Sequence, residues 1–378
     1  MRHFNAVLLI AFANAINAQP YAIGTRTITF TDGARSRAIE AVIHYPAAVA
    51  GNNADAADGV FPVLVHGHGF VMSVDAYTNL RDHFVPKGYI LVLPTTEGGL
   101  APDHANFGLD LAFLADALQA EGANEASPFF GHVALSTALI GHSMGGGASF
   151  LGAANNGNIQ ALVNFAAAET NPSAIAAAAE VLVPTLVFTA TEDCVVPPAN
   201  GPAPMYAALD VACKAFVNII GGGHCYFAAS SFTCSFGELT CGPDLSITRE
   251  EQHDVMNDLA GLWLDHFLKD DQAALPAFQD SLLLSSRVIG EATCLTTAVT
   301  GTERMEWVLS PVPATDQLRI QGAHPGTRFE VLDLTGRMVQ ATLTSSLQVD
   351  VRGLSSGSYL LRGCSDGGCH TAPFTVDH

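Results

Sequence analysis

The stretch Leu139-Ile140-Gly141-His142-Ser143-Met144-Gly145-Gly146-Gly147 decides how the chain folds. An apolar run at 138–140 enters it as a buried strand, and a small-residue segment at 145–154 leaves it with helical spacing. Between them lies G-x-S-x-G. Glycine on either side lets the strand turn sharply enough to lift the serine hydroxyl above the sheet edge in a strained backbone conformation. A plain tight turn would need neither the strand before it nor the helix after it.

Outward from that turn, the runs 61–65, 89–93, 161–163, 185–188 and 216–220 are continuous and apolar, as strands covered on both faces are. Segments 74–84 and 107–119 between them have helical spacing, and 249–268 reads as a closing amphipathic helix. Residues 27–30 and 39–44 alternate like an opening antiparallel pair. Strands alternating with helices predict an α/β domain, a mostly parallel sheet covered by helices on both faces.

A serine hydroxyl is a weak nucleophile until an imidazole takes its proton, and a carboxylate must orient that imidazole. The acid is expected past the next-but-one strand after the serine, where Thr191-Glu192-Asp193 ends the run beginning at Thr185. Asp193 is the choice and Glu192 the alternative. The base is expected after the following strand, where Gly221-Gly222-Gly223-His224 supplies His224. His253 and His266 fall in the closing helix and read as surface or packing residues. The oxyanion of a tetrahedral intermediate needs backbone N–H donors, one from Met144 and a second from Phe70 or Val71 in the glycine-rich turn His66-Gly67-His68-Gly69-Phe70. His66 and His68 make an H-x-H pair, but two ligands without a third or fourth do not build a metal site, so neither metal nor cofactor is expected.

At 378 residues the chain exceeds one average domain. Met1-Arg2-His3, the apolar residues 6–12 and the small residues 13–18 predict a secretory signal peptide over 1–18, cleaved after Ala18 or Ala15. The catalytic domain is read over 19–285 and a Thr-, Gly- and Ala-rich linker over 286–306. Short alternating runs parted by Gly and Asp predict a small all-β sandwich over 307–378. No later apolar run reaches the ~20 residues of a membrane helix, so no membrane span is expected. A net charge of -20 repels a phosphate backbone, which excludes nucleic acid as a partner. Eight cysteines in an exported chain imply disulfides of unreadable connectivity; Cys364 and Cys369 could staple a hairpin.

Residues 66–70, 141–147, 191–197 and 221–225 together resemble bacterial cutinases and the polyester hydrolases related to them, and plant chlorophyllases and platelet-activating-factor acetylhydrolases share much of the pattern. The resemblance covers roughly 25–267. It implies an α/β-hydrolase fold and metal-free hydrolysis of carboxylic esters, polyesters including PET among them. It also implies a triad of Ser143, Asp193 and His224, oxyanion amides from Phe70 and Met144, and Phe70 as one wall of an open cleft. The chain departs from PET hydrolases at 166–172, where the aromatic-clamping tryptophan is missing; Trp263 and Trp307 lie elsewhere. Tyr226 and Phe227, with Phe232 and Phe236, sit on a cysteine-rich insertion, where they either form a substitute substrate wall or pack the insertion. Segment 308–376 looks like the C-terminal sorting domain of the type IX secretion system, which implies that machinery as a partner and release or attachment outside the cell. The expected protein is a secreted monomer acting on an ester substrate. Chlorophyllase-like, lipase or acetylhydrolase specificity is the alternative, and an inactive surface-binding protein the reading of another class.

Overall fold

In the computed structural model of the chain, which describes residues 20–294, 308–322, 328–333, 338–342, 347–365 and 368–378, the apolar runs become the centre of one mixed sheet. An antiparallel pair opens it, β1 (Ala22–Asp32) and β2 (Arg37–Ala47), with the two-residue β3 (Gly51–Asn52) at its edge. Then come β4 (Phe61–Gly67), β5 (Ile90–Pro94), β6 (Val133–His142), β7 (Ala161–Phe165), β8 (Thr185–Ala190), β9 (Cys213–Ile219) and β10 (Val288–Cys294). The order is β10-β9-β8-β7-β6-β4-β5-β2-β1-β3, and neighbours from β9 through β5 run parallel.

The period of two along each strand divides the core. Leu64 and Leu91 face one cluster, and Val63, Val65, Ile90 and Val92 face the other. The first is roofed by α1 (Thr78–Phe84), α7 (Arg249–Lys269) and α8 (Ala274–Leu284), through Phe84, Trp263 and Phe278. The second is roofed by α2 (His104–Ala123), α3 (Met144–Ala153), α4 (Ala174–Ala178) and α5 (Pro202–Ala208). With helices on both faces the central strands are wholly buried, which is why they read as unbroken apolar runs. A short helix, α6 (Phe232–Leu239), lies outside these layers.

The expected linker over 286–306 is corrected in its first part. Residues 288–294 form β10, which pairs antiparallel with β9, and a disulfide joins Cys213 to Cys294. Among its seven residues only Val288 is buried, so the strand is held by backbone bonds to the edge of β9 and by the disulfide. Such a strand leaves little apolar alternation to read.

The chain divides into compact units at 1–295 and 296–378. In the second, β11 (Val308–Ser310), β12 (Gln317–Gln321) and β15 (Gln348–Asp350) form one antiparallel sheet. The other is β14 (Met338–Thr342), β13 (Arg328–Leu332), β16 (Gly357–Ser365) and β17 (Gly368–Val376). Leu318, Ile320 and Val349 of the first sheet share a core with Phe329, Leu361 and Phe374 of the second, as in a sandwich. Cys364 and Cys369 are backbone partners across β16 and β17; their side chains, like the signal segment 1–18 and Trp307, lie outside the described residues.

Candidate active site

The turn that follows β6 puts Ser143 at φ 55°, ψ -121°, a conformation that costs a non-glycine residue about 1–3 kcal/mol. The surrounding backbone imposes it. Ser143 N–H donates to the Phe165 carbonyl at 3.0 Å, and its own carbonyl accepts from Gly147 N–H at 3.1 Å and Ala168 N–H at 2.9 Å. The flanking glycines serve close approach: a Cβ on Gly141 would meet the Gly145 carbonyl, and one on Gly145 would meet the backbone of Gly67.

Asp193 follows β8 in a tight turn. One carboxylate oxygen accepts from the amides of Val195 (3.0 Å) and Val196 (2.7 Å), and the other accepts from His224 Nδ1 at 2.8 Å. Asp193 and His224 are each 3% exposed. Glu192 does not share that contact; its carboxylate accepts from the neighbouring Thr191 hydroxyl.

The loop bearing His224 is gripped from three sides. Thr191 Oγ1 accepts from Gly221 N–H at 2.8 Å, where φ is +74° and glycine is required. The wholly buried Gln252 of α7 makes two bonds to Gly223, accepting from its N–H at 3.0 Å and donating to its carbonyl at 2.9 Å. Arg249, one turn earlier, donates to the carbonyls of Cys225 and Ala228, and Glu238 of α6 accepts from Cys225 N–H at 3.2 Å.

A chain of bonds ties the glycine-rich turn, the serine turn and this loop together. Gly69 N–H donates to the Tyr77 hydroxyl at 2.7 Å, and His142 Nε2 lies 3.1 Å from the His224 carbonyl. A carbonyl can only accept, so Nε2 carries the proton and Nδ1 accepts from Tyr77 O–H at 3.1 Å. Burial, and then the neighbouring His224, hold His142 well below the usual histidine range, so it is neutral. Its ring centroid lies 4.8 Å from that of His224.

Phe70 is half exposed in the turn after β4, and the next residue, Val71, has φ +54°, an outlier for a β-branched side chain. Met144 is the first residue of α3, whose leading N–H groups have no intrahelical acceptor. Both ring nitrogens of His68 face backbone oxygens, Gly69 and Thr96, at 2.9 Å. His66 is wholly buried against Tyr77, and burial lowers its pKa to about 3.

Of the aromatic residues expected to line a substrate wall, Phe227 is misplaced. It is fully buried and packs on Phe165 and Phe188, because the short 3₁₀ turn after His224 points it into the sheet core. Tyr226 is half-buried under the Arg249 guanidinium, 4.5 Å from its ring centroid. Sequence reasoning missed Tyr77, His142, Gln252 and Glu238. Only His142 carried a signal, its place inside G-x-S-x-G.

A mostly parallel sheet covered on both faces, with a strained serine after the fifth of its long strands and a buried Asp–His pair on the loops of later strands, is an α/β hydrolase. The chain belongs to the PET hydrolase-like family, whose profile matches residues 14–239. That family consists of hydrolases acting on esters. Residues 309–374 match the secretion system C-terminal sorting domain, which marks the protein for type IX export to the cell surface or beyond. No curated protein matches the chain. Among the described residues no helix is long and apolar enough to cross a membrane.

Proposed function

We propose that this chain is a monomeric, secreted serine esterase of the cutinase or polyesterase type, working through an acyl-enzyme. The observation that carries the reading is the buried Asp193–His224 bond beside the strained Ser143 turn. In the proposed cycle His224 Nε2 takes the proton of Ser143 Oγ as that oxygen attacks the ester carbonyl. Asp193 keeps the other proton on Nδ1 and stabilises the imidazolium. The amides of Phe70 and Met144 receive the oxyanion. As the tetrahedral intermediate collapses, the C–O bond to the alcohol breaks and His224 returns its proton to the departing oxygen. Water then repeats the sequence on the acyl-serine, releasing the acid and restoring Ser143. The half-exposed Phe70 supports a role as one wall of the cleft, with Tyr226 at its rim.

The same reading assigns residues 1–18 to a cleaved signal peptide and the second unit to export alone. The test is turnover of p-nitrophenyl butyrate by the purified chain and its Ser143→Ala form, with a fluorophosphonate probe to trap the nucleophile. Labelling at Ser143 and its loss in the variant are expected. A folded wild type that neither turns over the ester nor takes the label would sink the reading in favour of an inactive surface-binding protein.

A further inference from the structure

Helix α6 is built the wrong way round for a surface helix. Its inward face carries Cys234 and the buried Glu238, while Phe232, Phe236 and Leu239, at i, i+4 and i+7, point to solvent and are 85%, 62% and 77% exposed. The two phenylalanine rings lie side by side, 6.4 Å apart and inclined by 25°. An amphipathic helix ordinarily buries such a stripe.

The helix is also fixed to the candidate site. One disulfide joins Cys234 to Cys225, the residue after His224, and a second joins Cys241, just past the helix, to Cys194, the residue after Asp193. The loops holding the acid and the base are thus both stapled to this one short element. A groove of about 380 Å³ bordered by Val71, Asp75, Ser231 and Phe232 connects the turn after β4 with the start of the stripe.

We infer that the Phe232, Phe236 and Leu239 face is the surface by which the protein docks on solid, uncharged polyester, delivering chain segments to the adjoining site. This deepens the esterase reading and rests on it. Three features select that occupant. The stripe runs along about 10 Å of helix, a flat shape suited to a surface and not to a single acyl chain. Between 225 and 243 the single charged residue is Glu238, and it is buried, so the face offers no charge to a headgroup. The chain as a whole carries -20, which disfavours both an anionic membrane and a second copy of itself.

The full-length chain carrying Ser143→Ala is to be adsorbed to polycaprolactone film, with and without Phe236→Ser and Leu239→Ser. Removing two large apolar contacts should weaken adsorption about tenfold or more. The apolar pair Phe236→Leu and Leu239→Met should retain it. In the active enzyme the ratio of film hydrolysis to p-nitrophenyl butyrate turnover should fall by a similar factor. Unchanged adsorption overturns the inference. So does a wild-type dimer that the serine substitutions dissociate, or equal loss of binding to zwitterionic phosphatidylcholine vesicles. Because adsorption is read without turnover, an inactive wild type that still binds film through this face would sink the esterase reading, whereas an active enzyme indifferent to these substitutions would sink only this one.

Discussion

Ser143 keeps its positive φ because three backbone bonds fix the residue from both sides, none of them made by its side chain. Ser143→Ala should therefore fold with an unchanged melting temperature while losing at least ~10³-fold in kcat; a variant with wild-type turnover would remove Ser143 from the chemistry. Tyr77 offers a sharper test of geometry. Tyr77→Phe leaves the buried Gly69 N–H without its acceptor, a cost of about 1–3 kcal/mol, and deprives His142 of a donor. Since the linked groups hold the turn after β4 against the His224 loop, kcat should fall roughly tenfold with little change in KM, and thermal stability should drop. A variant altered in stability alone would make Tyr77 a packing residue. Glycine spacing made the serine legible in the sequence, because only a strand–turn–helix needs it. Tyr77 and His142 pair across 65 residues, and such a pairing leaves no periodicity to read.

At the scale of elements, the strands that could be read were those with an apolar pattern, continuous where both faces are buried and alternating in β1, β2 and the sandwich. Those that escaped were held by something other than apolar pattern: β10 by an edge ladder and a disulfide, α6 by two disulfides and Glu238. Eight cysteines were plain, but pairing depends on which loops the sheet brings together. Asp193 could be placed one strand beyond β7 because the fold repeats, whereas Gln252 could not, its bonds to Gly223 reaching across 29 residues with no spacing rule to announce them. The Cys194–Cys241 bridge closes 47 residues, and the chain-entropy account assigns such a loop about 4 kcal/mol, an upper value where the unfolded chain keeps structure. Cys194→Ser with Cys241→Ser should lower the melting temperature by several degrees and reduce kcat, since the turn carrying Asp193 loses its tether. Equal melting temperatures for variant and wild type in calorimetry would mean that α6 is held without the bridge.

For the whole molecule, two buried histidines, His66 and His142, and two half-buried ones, His44 and His83, shape the response to acid. Burial lowers His44 and His83 to about 4 and His66 to about 3, and holds His142 well down. In the unfolded chain these groups titrate near ~6.5, so between ~6.5 and ~4 the unfolded state binds more protons than the folded one. Stability from this source is complete above ~6.5 and is lost as pH falls through that window, and further for His66 and His142, at about 1.4 kcal/mol per unit of depression. Melting temperature should be lower at pH 5.0 than at pH 7.5; an equal or higher value at 5.0 would show that these sites are wetter than the packing implies. Where the first unit ends is the other whole-molecule question, and two truncations answer it. A chain stopped after Thr300 keeps β10 and the Cys213–Cys294 bridge, and should turn over a soluble ester within about twofold of the full chain, since domains parted at a boundary retain their own cores. A chain stopped after Ser285 loses both. It leaves Cys213 without its partner, bares the edge of β9, and gives up a bridge spanning 81 residues, which the same entropy account values at roughly 4.5 kcal/mol. Both truncations should fail to reach the cell exterior, because each lacks the sorting domain matched at 309–374. If the longer truncation folds but loses turnover, the second unit contributes to the site; if the shorter one melts with the longer, β10 adds nothing to the hydrolase core.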